Sequence, residues 1–186
     1  MIKCITLFTK LLHADNGGLY GSILLCAPYG LAAHGINGRT LASVFPFPQM
    51  KKTGDLSPNL KSKLVKNMGG VKLIVVDETS TLVLNQLGML SYALQIVHSN
   101  NEPFGGIHIV FVGDLCQLAA IGQSVYAPLG KKPTDWDVRG AKAWASVDVF
   151  VEMKTQMRQR AIGTSEDVLR STLARLRCVC TYVVFF

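Results

Sequence analysis

Apolar positions along this chain follow two periods, and the switches between them mark its elements. Ile2, Ile5, Leu7, Phe8, Leu11 and Leu12 recur at helical intervals and predict an amphipathic helix ending before Asp15-Asn16-Gly17-Gly18. Ile23-Leu24-Leu25-Cys26-Ala27-Pro28 is a short apolar run closed by a proline, which predicts a buried strand. Leu73 to Val76 and Ile107 to Val112 are rich in β-branched residues without alternation, so they suit strands covered on both faces. Partial alternation over Val147 to Met153 predicts a weaker strand. Helical periodicity covers Leu82 to Ser99 and Val138 to Ala145, and Thr164 with Asp167 approximates a capping box opening a helix over 165–177. Strands alternating with helices predict an α/β fold built on a parallel sheet.

Breaker residues fill in the remainder. Pro46, Pro48, Gly54 and Pro58, interspersed with lysines, predict a surface insertion over 45–66 with a short helix near its end. Gly122 to Asp137 is a second loop. Residues 1–177 read as one unit and 178–186 as an apolar tail, with a short final strand as the alternative.

At 186 residues and 49% hydrophobic composition, the chain can bury a sizeable core, which excludes disorder as the default. No apolar run approaches the roughly 18–20 residues of a membrane span, so no membrane partner is expected. Five cysteines without a Cys-x-x-Cys pair favour a reducing compartment over a disulfide framework or a zinc site. The net charge of +7 is compatible with contact to nucleic acid through Lys51, Lys52, Lys61, Lys63 and Lys66, although a solvated loop face accounts for them equally well.

Chemistry concentrates where strands end. Asp77-Glu78 follows Leu73 to Val76, and ligand crevices of open α/β sheets lie outside the carboxyl ends of strands. One carboxylate there can hold Mg²⁺ through water while the other orients or deprotonates an attacking water. Gly113-Asp114-Leu115-Cys116-Gln117 places an acid and an amide at a second strand end. Gln117 can donate to a γ-phosphate oxygen and accept from a water. In Met157-Arg158-Gln159, Arg158 has the chemistry to neutralise transition-state charge. Each has an ordinary alternative as a strand-ending or solvated turn; two acid-bearing strand ends in one sheet weigh against it for the acids and Gln117, whereas for Met-Arg-Gln taken alone the solvated turn is the better reading.

Five ordered blocks carry a resemblance: Ala27-Pro28-Tyr29-Gly30-Leu31-Ala32-Ala33, Thr40-Leu41-Ala42-Ser43-Val44-Phe45, Val76-Asp77-Glu78-Thr79-Ser80, Gly113 to Leu118, and Met157-Arg158-Gln159. Together they resemble the PIF-one-like DNA helicases, which include the helicase part of Helitron transposons and are relatives of RecD in superfamily one. The resemblance spans Met1 to about Arg177. It implies most of the first RecA-like lobe of a P-loop nucleoside triphosphatase that uses ATP and Mg²⁺ to move five-prime to three-prime along single-stranded DNA. By that resemblance Asp77 and Glu78 are the magnesium and water-activating pair, Asp114 and Gln117 join them at the nucleotide, and Arg158 contacts the γ-phosphate. Pro28, Tyr29, Gly30, Thr40 and Ser43 fall in the strand-contacting motifs, and a nuclear or mitochondrial location follows for such a motor.

The chain departs from the family in places. Tyr29 stands where the family usually has threonine, Ala42 where it has histidine, and Ala119-Ala120 where it has Pro-Pro. No Gly-x-x-x-x-Gly-Lys-Ser/Thr run is present, and Gly17-Gly18-Leu19-Tyr20-Gly21-Ser22 has the glycines without the lysine. The expectation is therefore an incomplete lobe, inactive alone, whose phosphate-loop strand and second lobe are missing. A non-catalytic module binding single-stranded DNA or a protein partner is the competing reading, with another branch of P-loop nucleoside triphosphatases behind it.

Overall fold

A computed structural model describes residues 23–53, 55–114, 117, 120–152 and 181–185. The expected helices near Met1 and over 165–177, the glycine turn before Ile23, and Met157-Arg158-Gln159 lie outside them. Strand β1 (Ile23–Ala27) leads into helix α1 (Gly30–Gly35), strand β2 (Arg39–Thr40) and the short helix α2 (Leu41–Val44). Helices α3 (Phe47–Thr53) and α4 (Pro58–Met68) then precede β3 (Leu73–Val76), a 3₁₀ turn at Thr79–Thr81, and the long helix α5 (Leu84–His98). Strand β4 (His108–Asp114), helix α6 (Asp135–Ala145), and strands β5 (Val149–Glu152) and β6 (Thr181–Phe185) complete the described elements.

The strands form one sheet in the order β2-β1-β3-β4-β6-β5. From β2 to β4 every neighbour is parallel, as the alternation of strands and helices predicts. Strand β6 runs antiparallel to both β4 and β5. The tail expected beyond residue 177 thus supplies a strand through Thr181–Phe185. The exposed edge of β4 offers unpaired backbone groups, and an apolar β-branched segment such as Val183-Val184-Phe185 satisfies them.

Side chains of β3 and β4 alternate between two buried surfaces. Ile74, Val76, Ile109 and Phe111 join the main core beneath α5, whereas Val75, Val110 and Val112 form a smaller cluster on the opposite face. Burial on both faces explains why these strands read as continuous apolar runs.

The segment 45–66 departs from its expectation as a surface insertion. Phe45, Phe47, Met50, Leu56 and Leu64 are buried in the main core, and the Phe45 and Phe47 rings stack at 5.9 Å. The prolines that suggested a loop instead start helices: Pro58 occupies the first turn of α4, where its missing N–H costs nothing. Helix α6 likewise starts earlier than its apolar pattern indicates. Thr134 caps it reciprocally with Asp137, the Thr134 N–H donating to the carboxylate at 2.8 Å and the Asp137 N–H to the hydroxyl at 3.2 Å.

Asp55 ties the turn between α3 and α4 to α5. Its carboxylate accepts from the Leu56 N–H at 2.7 Å, the Tyr92 hydroxyl at 2.9 Å and the Lys61 ammonium at 3.2 Å. These donors, the Leu56 N–H foremost, hold the carboxyl below its ordinary value. A depressed folded-state value stabilises the fold above the unfolded-state value and ceases to do so as pH falls through the folded one. The stability difference between wild type and Asp55→Asn should be constant above about pH 5 and shrink as pH drops below about 4. Urea unfolding at a series of pH values measures this; a difference that stays constant down to pH 2 would refute it.

Candidate functional site

All four parallel strands end at the same edge of the sheet, which brings together blocks far apart in sequence. Cys26 is level with Val76, and Val76 with Phe111, while Ala27 sits beside Thr40. Pro28-Tyr29-Gly30, Thr40, Asp77-Glu78 and Asp114 therefore emerge on one rim. The Asp77 N–H donates to the Cys26 carbonyl at 2.9 Å, extending the β1–β3 pairing one residue past the strand. Cys26 itself is fully buried, and burial pushes its thiol up to about 12, so it stays protonated and unreactive beneath the rim.

Glu78 adopts a left-handed conformation, with φ 54° and ψ 44°. Only a few per cent of non-glycine residues do so, and those that do cluster where surrounding structure holds them for function. Here the holding group is Thr79. Its buried hydroxyl lies 3.0 Å from the Val112 carbonyl and 3.3 Å from the Val76 carbonyl, bridging the ends of β4 and β3. Gly113 makes this approach possible, because a Cβ there would stand 2.8 Å from the Thr79 nitrogen. Ser80, next in the turn, is 1% exposed, and its hydroxyl has no hydrogen-bond partner among the described residues.

Asp114 is buried at the end of β4, and the Gln117 N–H donates to its carbonyl at 3.0 Å, folding exposed Gln117 back toward the rim. Tyr29 is 43% exposed, and its phenol is raised above its ordinary value by partial burial and then by the negative charges of Glu78 and Asp77. That coupling places Tyr29 within electrostatic reach of the acid pair. Thr40 and Ser43 are engaged with each other: the Ser43 N–H donates to the Thr40 hydroxyl at 3.2 Å and the Ser43 hydroxyl to the Thr40 carbonyl at 2.8 Å, capping α2. Arg158 lies outside the described residues. Thr79 and Gly113 stood inside the quoted blocks without a role, because their contact joins two strands and leaves no trace in local pattern.

No group of three or more His, Cys, Asp or Glu among the described residues is arranged to hold a metal. A carboxylate pair fits the weaker demand of magnesium, which keeps several waters and takes one or two carboxylates alongside phosphate oxygens. Among the described residues, no helix is long and apolar enough to cross a membrane.

Comparison with known proteins decides the family: residues 7–173 match PIF1-like helicase. The chain belongs to that family. Saccharomyces cerevisiae ATP-dependent DNA helicase PIF1 is 30% identical over 160 residues, 82% of this chain and 18% of that protein. Psychrobacter ATP-dependent DNA helicase Pif1 is 25% identical over 144 residues, 76% of this chain and 21% of that protein. The crystal structure of Pif1 helicase from Candida albicans superposes with a TM-score of 0.51 at 27% identity, covering 64% of this chain and 27% of that one. The PIF1-like assignment matches the resemblance read from the five blocks, and the parallel sheet matches the fold. The chain spans about a fifth of the length of the two curated relatives.

Proposed function

We propose that this chain supplies the magnesium- and water-handling rim of an ATP-dependent DNA helicase, the activity for which its relatives are named. The observation that carries this reading is the convergence of Asp77-Glu78 and Asp114 at adjacent parallel strand ends. Asp77 would hold Mg²⁺ through water. The metal supplies charge neutralisation there. Glu78, fixed by its left-handed turn, orients the attacking water and takes its proton. Gln117 senses the γ-phosphate, and Arg158 offsets charge in the transition state. Pro28, Tyr29, Gly30, Thr40 and Ser43 form the side of the rim that meets single-stranded DNA, with five-prime to three-prime movement and a nuclear location following from the family.

The sequence has no Gly-x-x-x-x-Gly-Lys-Ser/Thr run, so the chain is expected to bind nucleotide weakly and not to turn ATP over. Titration with a fluorescent ATP analogue should show magnesium-dependent binding that Asp77→Asn weakens about tenfold, or ~1.4 kcal/mol. Binding indifferent to magnesium and to that substitution would overturn the assignment, and rapid DNA-stimulated phosphate release would overturn the incapacity. A second reading, a non-catalytic module for single-stranded DNA, is favoured by exposed Lys63 and Lys66 on α4. Lys61 contributes less to it, being paired with Asp55.

A further inference from the structure

The groove between α5 and α6 carries a group of side chains that the strand-end chemistry does not use. It encloses about 650 Å³ and is lined by Tyr92 and Gln95 of α5, Asn101, and Trp136, Arg139 and Lys142 of α6. The three α6 residues recur every third position and so share one helix face. Tyr92 lies eight residues along α5 from Leu84, roughly 12 Å from the start of that helix at 1.5 Å per residue.

The walls are held in place. The Tyr92 hydroxyl is anchored on Asp55 at 2.9 Å, and the Gln95 amide donates to the Asn101 and Glu102 carbonyls at 2.9 and 3.2 Å. The Tyr92 and Trp136 rings lie 5.5 Å apart, and the Arg139 guanidinium sits 5.2 Å and 5.8 Å from their centroids. A guanidinium fixed over two aromatic faces keeps its planar fork of N–H donors pre-organised, the geometry that suits bidentate phosphate recognition. Arg139 and Lys142 are exposed, and neither has an ion-pair partner among the described residues. Asp135 also lines the groove, so among the lining residues two cations stand against one acid.

We propose that this groove is a second contact for single-stranded DNA, with Arg139 and Lys142 on the phosphodiester backbone and Trp136 against a base. A groove of this size seats one or two nucleotides, and a stacking contact with Trp136 needs a base that is not already paired and stacked in a duplex. The identity of the strand as DNA rests on the helicase reading, whereas the phosphate chemistry of the groove rests on its own residues and is independent of ATP.

The two tryptophans of the chain make the test direct, because Trp144 packs edge-on against Phe111 at 5.3 Å in the core. In a Trp144→Phe background, Trp136 emission is followed while oligothymidylate is added, with thymidine monophosphate and a blunt duplex as parallel arms. Saturable quenching by the oligonucleotide is expected, unchanged by Mg-ATP and weaker with the duplex. Lys142→Gln should weaken binding about fivefold and lower the salt slope by about 0.7, and Arg139→Gln with Lys142→Gln should lower that slope by about 1.4. Circular dichroism of each variant establishes that it is folded, and Lys142→Gln alone leaves the ring-stacked arginine untouched. Unchanged affinity and salt slope in Lys142→Gln, no quenching of Trp136, or equally tight binding of thymidine monophosphate each overturn the proposal. Loss of magnesium-dependent nucleotide binding in Asp77→Asn bears on the rim alone and leaves these readouts unaffected.

Discussion

Gly140→Ala is expected to destabilise the fold by about 3 kcal/mol, at the upper end of what overpacking a core costs. A Cβ at Gly140 would collide with the Leu84 carbonyl, and one at Gly88 would collide with the Trp136 carbonyl and stand 2.8 Å from the Gly140 nitrogen. Helices α5 and α6 thus touch backbone to backbone at a pair of glycines. No flexible side chain intervenes to yield, so the helices must separate. Separation would open the core where Leu87, Ala143 and Trp144 pack. With a slope of about 1–3 kcal/mol per molar in urea, the unfolding midpoint should fall by at least about 1 M. Gly35→Ala is the matched control: a Cβ there meets nothing within 4 Å, and its midpoint should hardly move. Equal midpoints for Gly140→Ala and Gly35→Ala would rule out the close crossing.

Thr79→Val should destabilise by about 1–3 kcal/mol even though valine matches threonine in shape. The lost hydroxyl is the donor shared by the Val76 and Val112 carbonyls, and the site is 2% exposed, so water cannot readily replace it. Thr79→Ser keeps the donor and should retain most of the stability. The loss reaches the rim as well, because the turn that Thr79 pins includes Glu78 at φ 54°. Magnesium-dependent nucleotide binding should therefore fall in Thr79→Val beyond what its altered stability explains, measured well below its unfolding midpoint. Wild-type stability in Thr79→Val would remove the staple, and wild-type nucleotide binding would remove its link to the acid pair.

Strands β3 and β4 and their acidic ends were readable because burial on both faces leaves an uninterrupted apolar run, and the acids follow directly. The segment 45–66 misleads because its composition outweighs its periodicity: lysines and prolines stand out in its count, while Phe45, Phe47, Met50, Leu56 and Leu64 carry its burial. The start of α6 at Asp135 was legible in principle, since Thr134 and Asp137 have capping-box spacing, but the apolar pattern begins only at Val138. Gly88 and Gly140 could not be paired from sequence, because each reads as a mild flaw in its own helix until the two are brought together. The Thr79 bridge and the Arg139 ring stack share that character, arising from contacts between elements with no local signature.

The register of the sheet gives the rim a profile in height. Val76 is level with Phe111, so Asp77 lies level with Val112, and β4 continues two residues further to Asp114. At about 3.3 Å per residue, that is a rise of roughly 7 Å from the acid pair to the end of the neighbouring strand. Tyr29 stands on the other flank, beyond the end of β1. Cys26 is level with Val76, so Tyr29 also lies two residues beyond the level of Asp77, and the acid pair occupies the floor of a trough between two flanks, along which a phosphate chain would lie. Its direction would be set by backbone geometry before any side chain had chosen a partner.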